Sequence, residues 1–255
     1  MDNLNEPRLI HLSQTDSTNK FLQMISETED IPSGSIVLAD YQTEGRGQTG
    51  NSWESESGQN LMFSVLFRPV NIPANMPFVI SETASLSVKY TLDKYISDIS
   101  VKWPNDIYYK DMKISGILIE NTITRSKISK SIIGIGVNVN QRTFGPNIPN
   151  PVSMAQATGC IFDRMAVLED FRHIFAGQSE RLNRDCYDSI HNDYLNAVYR
   201  KAGYCKYACG REIFRAKIYD IEPDGHLILE RTDGVRSRYA FKEVTYVIDA
   251  CLSRI

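Results

Sequence analysis

The sequence lacks the long apolar runs of a membrane protein: none of its 255 residues lies in a stretch that approaches the roughly 18 consecutive apolar residues of a membrane span. Residues 1–8 are polar and are not followed by the apolar segment of a signal peptide. A strong charge of either sign is missing as well, because the formal net charge is only −3. These absences argue against membrane and nucleic-acid partners and predict a cytoplasmic protein.

The signatures of several kinds of catalytic or metal centre are also missing. Five cysteines form an odd set without a C-x-x-C pair, which argues against a disulfide framework and a zinc site and predicts reduced thiols. The four histidines show no metal-ligand spacing, and no G-x-S-x-G motif marks a serine nucleophile. We therefore expect no metal held by protein ligands alone.

What is present is an ordinary globular composition, with 42% hydrophobic and 23% charged residues. Strand patterns cover residues 8–12, 35–42 and 61–67. Helical spacing of apolar residues predicts an amphipathic helix over 81–96. Two further β-rich segments lie between residues 101 and 140, so strands and helices share one domain.

Helix-capping residues mark the start of three more helices. Asp16–Asn19 supplies N-cap chemistry for the first of them. A capping box, Ser153–Gln156, opens a short helix that ends at Gly159. Asp163 then caps a longer helix that runs to about Leu182.

Beyond about Gly203 the pattern changes to short alternating strands. Two hairpin signals, Asp224–Gly225 and Asp233–Gly234, fall within this part of the chain. We therefore predict two domains, a main domain over residues 1–202 and a small β-barrel domain over 203–255.

A glycine-rich loop, EGRGQTGNSW (Glu44–Trp53), contains the G-x-G-x-x-G pattern of dinucleotide-binding folds. In those folds the third glycine opens a helix whose N-terminus completes the phosphate site. Here the chain continues as a polar segment and then enters a strand, which argues against a nucleotide-dependent oxidoreductase. Arg46 could offer a permanent charge to an anion, and a surface loop with an incidental arginine is the alternative.

The segment SIIGIGVNVN (Ser131–Asn140) is typical of a strand with two unlike faces. The period of two places Gly134, Gly136, Asn138 and Asn140 on one face and the β-branched residues on the other. Glycines at alternate strand positions suit a place where a flat ligand or another part of the chain lies against the sheet. The pattern leaves both alternatives open.

The segment KWPNDIYY (residues 102–109) gathers polar side chains at a proline. Pro104 disrupts a strand where Lys102, Asn105 and Asp106 meet. Such a kink would direct these groups into a cleft.

A short turn at Lys110–Met112 predicts a hairpin with the following segment, KISGILIENT. That segment carries Lys113 and, three residues later, Gly116, where something can approach the backbone. Considered singly, each lysine of the hairpin is equally compatible with a solvated surface position.

Together, these motifs resemble in order and spacing the catalytic domain of bacterial biotin protein ligases. DSTN, GRGQTGNSW, KWPNDIYY followed by KISGILIE, and GIGVNVN carry the resemblance, which spans nearly the whole chain. It implies an α+β fold: a mixed β-sheet catalytic domain flanked by helices, similar to class II synthetases, with a small C-terminal β-barrel domain.

The resemblance implies a two-step reaction. Biotin and ATP, the latter with Mg²⁺, would form biotinoyl-5′-adenylate and pyrophosphate, and a lysine of a biotin carboxyl carrier protein would then take the biotinoyl group. In the first step an anionic carboxylate attacks an anionic phosphate, so fixed cations should matter most. The carrier protein is the expected partner, and whether the enzyme is a monomer or a homodimer stays open.

By the same resemblance, three cations would carry the chemistry. Lys113 would bridge the biotin carboxyl group and the phosphate, Arg46 would close over the adenylate, and Lys102 would add charge at the phosphates. The other residues expected to bind biotin or the adenylate are Ser17, Thr18, Asn19, Gln42, Gly45, Gly47, Gln48, Trp53, Asn105, Asp106, Gly116, Gly134, Gly136 and Asn138.

Two features depart from the family pattern. Gln48 and Thr49 stand where the common loop, G-R-G-R-R-G, has arginines, which predicts weaker retention of the adenylate. Only sixteen residues precede Ser17, too few for the N-terminal DNA-binding domain of many relatives, so a ligase-only protein is expected.

Two other functions are the alternatives to biotin transfer. Enzymes that transfer lipoate or octanoate to carrier lysines share this fold and reaction scheme. Their characteristic loop with an arginine and three glycines is missing from the sequence. A non-catalytic ligand sensor on this scaffold would be expected to have lost Lys113 or Arg46, and both are present.

Overall fold

The computed structural model describes residues 6–48, 50–146 and 148–248, and its strands form two sheets. The strands of the first sheet are β1 (Leu9–Thr15), β2 (Ile36–Gln42), β3 (Leu61–Phe67), β4 (Ile99–Lys102), β5 (Asp106–Tyr109), β6 (Met112–Thr124) and β7 (Lys127–Val137). Those of the second are β8 (Cys205–Cys209), β9 (Glu212–Ile221), β10 (Leu227–Arg231), β11 (Arg236–Tyr239) and β12 (Thr245–Tyr246).

Five helices occur among the described residues. They are α1 (Thr18–Thr28), α2 (Phe78–Asp93), α3 (Met154–Thr158), α4 (Arg164–Asn183) and α5 (Tyr187–Ala197). Within the described part of the chain, no helix has the length and apolar character needed to cross a membrane.

The first sheet is mixed, with the strand order β1-β2-β3-β7-β6-β5-β4. β1 runs parallel to β2, and the other neighbouring strands pair antiparallel. The second sheet is antiparallel, with the order β11-β10-β9-β8-β12. The predicted fold class was a mixed sheet flanked by helices with a small C-terminal β-barrel domain. The structure confirms the mixed sheet with its helices and shows the C-terminal strands as a second, antiparallel sheet of five strands.

The two faces of the first sheet have different roles. Ile133, Ile135 and Val137 of β7 belong to the main core, where β3 packs on α4 through Phe63 and Phe171, whose ring centroids are 4.9 Å apart. The opposite face packs on α1 through a smaller apolar cluster. Because side chains alternate along a strand, the glycines of β7 lie on this second face.

Helix α2 differs from its prediction. It begins at Phe78 instead of residue 81, and it is buried on nearly all sides because α4 and α5 cover the face turned away from the sheet. Three of its buried hydroxyls bond backbone carbonyls one turn earlier, as Ser87 Oγ does to Thr83 O at 2.7 Å. The predicted amphipathic pattern was therefore wrong.

The proline segment also differs from its prediction. Instead of one kinked strand, residues 103–105 form a turn, and β4 and β5 pair as an antiparallel hairpin in which Lys102 lies opposite Asp106. The next predicted hairpin, β5–β6, is confirmed. The predicted long strand over residues 131–140 ends earlier, at Val137, so Asn138 and Asn140 lie beyond it.

Most capping predictions hold. The capping box of Ser153 and Gln156 is present, and Asp163 Oδ1 accepts from the backbone of Met165 at 2.8 Å. At α1, by contrast, the N-cap residue Ser17 makes no side-chain cap, and Gln42 Oε1 accepts from the Thr18 backbone N–H instead. Helix α5, which no capping pattern had predicted, follows α4 after a short turn.

His191 on α5 connects helix α2 to the second sheet. Its Nδ1 lies 2.7 Å from Glu82 Oε1 on α2, and its Nε2 lies 2.9 Å from Asp220 Oδ1 on β9. The hydrogen bond to Glu82 is the largest of the effects that raise the pKa of His191 to about 9. Burial raises the pKa of Glu82, so the charge on this carboxylate depends on the imidazolium beside it.

His191→Gln should make the protein less stable in a pH-dependent way. Because the pKa of His191 is raised by folding from 6.5 to about 9, its contribution is complete below pH 6.5 and is lost as the pH rises through 9. We expect the free energy of unfolding at pH 6 to fall by about 1–2 kcal/mol and the difference from the unmodified protein to shrink by pH 10. Urea denaturation at several pH values measures both.

His173→Gln is the matched control, because the His173 side chain is 78% exposed and contacts only Glu169 of its own helix among the described ion pairs. Its unfolding free energy should follow that of the unmodified protein. A pH-independent offset for His191→Gln would contradict the assigned charge.

Candidate active site

A cavity of about 300 Å³ lies over β6 and β7, on the face that carries the glycines. Its walls come from the start of α1, residues 46–48 and 51–53 of the glycine loop (Glu44–Trp53), the β4–β5 turn and the segment 241–246. The predicted site residues that line it are Ser17, Thr18, Asn19, Gln42, Arg46, Gly47, Gln48, Trp53, Lys102, Asn105, Asp106, Lys113, Gly116, Gly134 and Gly136.

Two predicted site residues lie outside this cavity. Gly45 is at the base of the glycine loop, where its carbonyl accepts from Trp53 N at 2.9 Å, and an added Cβ would lie 2.3 Å from Trp53 O. Asn138 is buried and donates from Nδ2 to Val152 O at 3.1 Å. Their contacts hold the backbone around the site instead of lining the cavity.

The bare face of β7 gives close access to two side chains. A Cβ added at Gly134 would lie 2.2 Å from Asn19 Oδ1, and one added at Gly136 would lie 2.3 Å from Trp53 Cε2. Gly134 thus makes room for the beginning of a neighbouring helix, which was the structural alternative left open by the sequence. Gly136 makes room for an indole ring, whose buried Nε1 has no hydrogen-bond partner among the described residues.

Polar side chains converge where α1 begins. Ser64 Oγ lies 2.6 Å from Asn19 Oδ1 and 2.8 Å from Thr18 Oγ1, and Gln42 Oε1 accepts from Thr18 N at 2.8 Å. These groups form one hydrogen-bonded cluster beside the cavity. Ser64 was missed by sequence reasoning, although one hydroxyl in the otherwise apolar strand LMFSVLF was a usable signal.

Two of the predicted catalytic cations face carboxylates. Lys113 Nζ lies 2.6 Å from Asp106 Oδ1, across the β5–β6 hairpin. Arg46 Nη1 and Nη2 each lie 3.1 Å from a different oxygen of Glu120 on β6. The site therefore holds its positive charge in ion pairs, with the partners supplied by the same sheet.

The third cation, Lys102, lies among aromatic rings. Its Nζ donates to Tyr108 Oη at 2.9 Å and lies 5.4 Å from the centroid of the Tyr246 ring. Burial lowers the pKa of Lys102. A phosphate close to this group would favour its charged form.

The glycine loop forms a closed hairpin and not the start of a helix. Gly47 N donates to Asn51 O at 2.9 Å, and Arg46 pairs with Ser52 in a short antiparallel bridge. From Gly50 to the start of β3 the chain forms no helix. This geometry agrees with the argument against a dinucleotide-binding fold; Thr49 lies outside the described residues.

The second sheet completes one wall of the cavity. Trp103 Nε1 donates to Gly225 O at 2.9 Å, and its ring packs edge-on against Phe241. The wall residues are Phe241, Lys242, Val244, Thr245 and Tyr246. Sequence reasoning missed them because they are distant in the chain from every motif, and no local pattern indicates the contact.

Among the described residues, one group could approach metal-ligand geometry. Glu222, Asp224 and His226 lie together at the β9–β10 turn. Arg238 already bonds both carboxylates, at 2.6 Å to Glu222 Oε2 and 2.5 Å to Asp224 Oδ2. The guanidinium already occupies one oxygen of each carboxylate, so we assign no metal to this group.

Comparisons with known proteins agree with this fold. Residues 12–138 match the model of the biotin/lipoate A/B protein ligase family. The chain is 29% identical to the bifunctional ligase/repressor BirA of Bacillus spizizenii over 248 residues, which cover 91% of this chain and 72% of that protein. A biotin–[acetyl-CoA-carboxylase] ligase of Mycobacterium tuberculosis is 30% identical over 134 residues, which cover 51% of this chain and 48% of that protein.

A solved structure is also similar. The biotin protein ligase from Aquifex aeolicus in complex with biotin and ATP matches with a TM-score of 0.75 and 26% identity, over 93% of this chain and 97% of that one. The chain therefore belongs to the biotin/lipoate A/B protein ligase family. Within this family, the proteins that it resembles include the biotin–[acetyl-CoA-carboxylase] ligase and the biotin protein ligase named above.

Gly134→Ala should destabilise the fold at the floor of the cavity. The added methyl group would displace Asn19, which is held by Ser64 and Glu120, and we expect a loss of about 1–3 kcal/mol in the free energy of unfolding. Gly177→Ala is the control because nothing lies within 4 Å of its added Cβ in α4. That change should stabilise by about 0.5–1 kcal/mol. Urea denaturation measures both, and equal effects would contradict the close contact at Gly134.

Proposed function

We propose that the protein joins biotin to the AMP moiety of ATP and then transfers the biotinoyl group to a lysine of a biotin carboxyl carrier protein. The arrangement of Lys113 and Arg46 carries the proposal: they reach one cavity from β6 and the glycine loop, above a floor that includes Gly116, Gly134 and Gly136. Two fixed cations facing one space suit a reaction in which two anions must meet.

In the first step, a carboxylate oxygen of biotin attacks the α-phosphorus of ATP. The new O–P bond forms as the bond to the β-phosphate breaks, and pyrophosphate leaves with the electron pair. Lys113 neutralises charge between carboxylate and phosphate, Arg46 binds the α-phosphate, and Lys102 serves the leaving phosphates. For this step Lys113 must exchange Asp106, at 2.6 Å, for its substrates.

In the second step, the neutral amine of the carrier lysine attacks the acyl carbon of the adenylate. The C–O bond to AMP breaks, AMP leaves as an anion, and the amine loses a proton. AMP is a far better leaving group than oxide, which explains why the carboxylate is activated first. The glycine loop must open on the solvent side to admit the lysine, and its small residues allow this movement.

The remaining residues form two subsites. The polar cluster at the start of α1, with Gln42, suits the ureido group of biotin, which offers two N–H donors and one carbonyl acceptor. Trp53 covers the glycine floor beside it. The wall at residues 241–246 then lies on the nucleotide side.

Three further points belong to this proposal. Mg²⁺ would reach the site with ATP and shield its phosphate charge, and Asp106, which lines the cavity, offers a carboxylate oxygen to it. A division of the chain after residue 202 fits the start of β8 at Cys205. A cytoplasmic location suits an enzyme that consumes ATP.

The direct test is to incubate the protein with biotin, ATP, Mg²⁺ and a carrier domain, and to weigh the carrier by mass spectrometry. We expect the carrier to gain one biotinoyl group, and octanoate in place of biotin should give no product. Lys113→Ala should slow adenylate formation by about a hundred- to a thousand-fold, because a preorganised charge at the reacting oxygens is lost.

The control for this variant is Lys127→Ala, an exposed lysine at the start of β7 on the same sheet. It should leave pyrophosphate release unchanged. Near-normal pyrophosphate release from Lys113→Ala, with biotin and ATP still bound, would refute the role assigned to Lys113.

Gln48→Arg should slow the loss of the adenylate. Gln48 lines the cavity, so an arginine there restores a loop cation near the phosphate. We expect release to slow by about two- to fivefold, the range of a partly exposed ion pair. Dissociation can be followed by chasing the loaded enzyme with excess unlabelled biotin. An unchanged dissociation rate would show that the number of cations in the loop does not limit how long the adenylate is retained.

A further inference from the structure

Glu120 on β6 is the ion-pair partner of Arg46. Its two carboxylate oxygens accept from Arg46 Nη1 and Nη2, each at 3.1 Å. One of these oxygens, Oε2, also accepts from Asn19 Nδ2 at 2.7 Å. A single carboxylate therefore contacts both the glycine loop and the polar cluster at α1.

The position of Glu120 follows from strand alternation. Gly116, Leu118 and Glu120 lie on one face of β6, and the first two line the cavity. Glu120 is the next side chain along this row and does not itself line the cavity. It therefore touches the site through Arg46 and Asn19.

The charge balance of this pair has a consequence for anion binding. While the N–H groups of Arg46 Nη1 and Nη2 donate to Glu120, the charge of the guanidinium is neutralised and these two donors are not available to a phosphate. The two side chains are 37% and 42% exposed, so water screens the pair and the contact is weak enough to exchange. An incoming phosphate can replace Glu120, but at the cost of that contact.

We propose that Glu120 is a positioning residue that competes with the phosphate of the biotinoyl-adenylate for Arg46, and thereby sets how long the intermediate is held. This inference rests on the proposed function. With Gln48 and Thr49 in the loop instead of arginines, Arg46 is the loop's one arginine. A competitor for it therefore has a large influence on retention.

Glu120→Gln is the informative variant. The glutamine keeps the size of the side chain and can still accept from Asn19, but it removes the charge that holds Arg46. Release of the biotinoyl-adenylate in the absence of carrier should slow by about two- to fivefold. The affinity for biotin alone, measured by calorimetry, should not change, because biotin without nucleotide presents no phosphate to Arg46.

Three controls separate competition from a general structural effect. In an Arg46→Gln background, Glu120→Gln should no longer slow release, since its partner is gone. The effect in the unmodified background should shrink at high salt. Glu169→Gln, which removes an exposed carboxylate on α4 that pairs with Arg172, should leave the release rate unchanged.

Equal or faster release from Glu120→Gln would overturn the inference. Faster release would instead make Glu120 a latch that keeps the loop closed over the intermediate. The same slowing in the Arg46→Gln background would also overturn it, because the effect would not pass through Arg46. If the unmodified protein formed no adenylate at all, the proposed function would fail and the inference with it, which distinguishes the two failures.

Discussion

The depth of the cavity depends on the absence of side chains at Gly134 and Gly136 of β7. Asn19 and Trp53 both lie closer to the backbone at Gly134 and Gly136 than any Cβ would permit. The position of α1, the seat of the loop tryptophan and the floor of the cavity all follow from this contact. The odd-numbered residues of the same strand meanwhile hold the sheet to the main core. One eleven-residue strand thus provides both the foundation of the fold and the surface on which ligands are expected.

Electrostatically, the site is arranged for exchange of partners. Lys113 and Arg46 each contact a carboxylate from the same sheet, and neither lies fully out of water. A bare cation in a closed pocket would be costly to desolvate, whereas a paired one is kept in position at little cost. Binding of an anionic ligand then replaces one negative oxygen by another around a fixed cation. Lys102 differs, because its Nζ donates to a phenol oxygen and lies over tyrosine rings, and it forms no ion pair within 4 Å among the described residues.

Local signals in the sequence accounted for much of this arrangement. The two faces of β7, the turn before Lys113 and the Asp-Gly hairpins could be predicted because neighbouring residues determine them. The burial of α2 could not, since it depends on α4 and α5, which lie far along the chain. Glu120, Ser64 and the wall at residues 241–246 were missed for the same reason: each acquires its role from a tertiary contact. The motifs placed Lys113, Arg46 and Lys102 as candidates, but only the fold brings their partners beside them.

The wall formed by residues 241–246 is translated after the motifs that supply the rest of the site. These residues leave the ribosome long after the segments that carry Arg46 and Lys113, yet Phe241 packs on Trp103 and Tyr246 lies beside Lys102. While these residues are still missing from a nascent chain, the side of the cavity that they bound faces water. A proteolytic cut before this wall would remove Phe241 from Trp103 and Tyr246 from Lys102, so the enclosure of the cavity depends on residues translated well after the motifs.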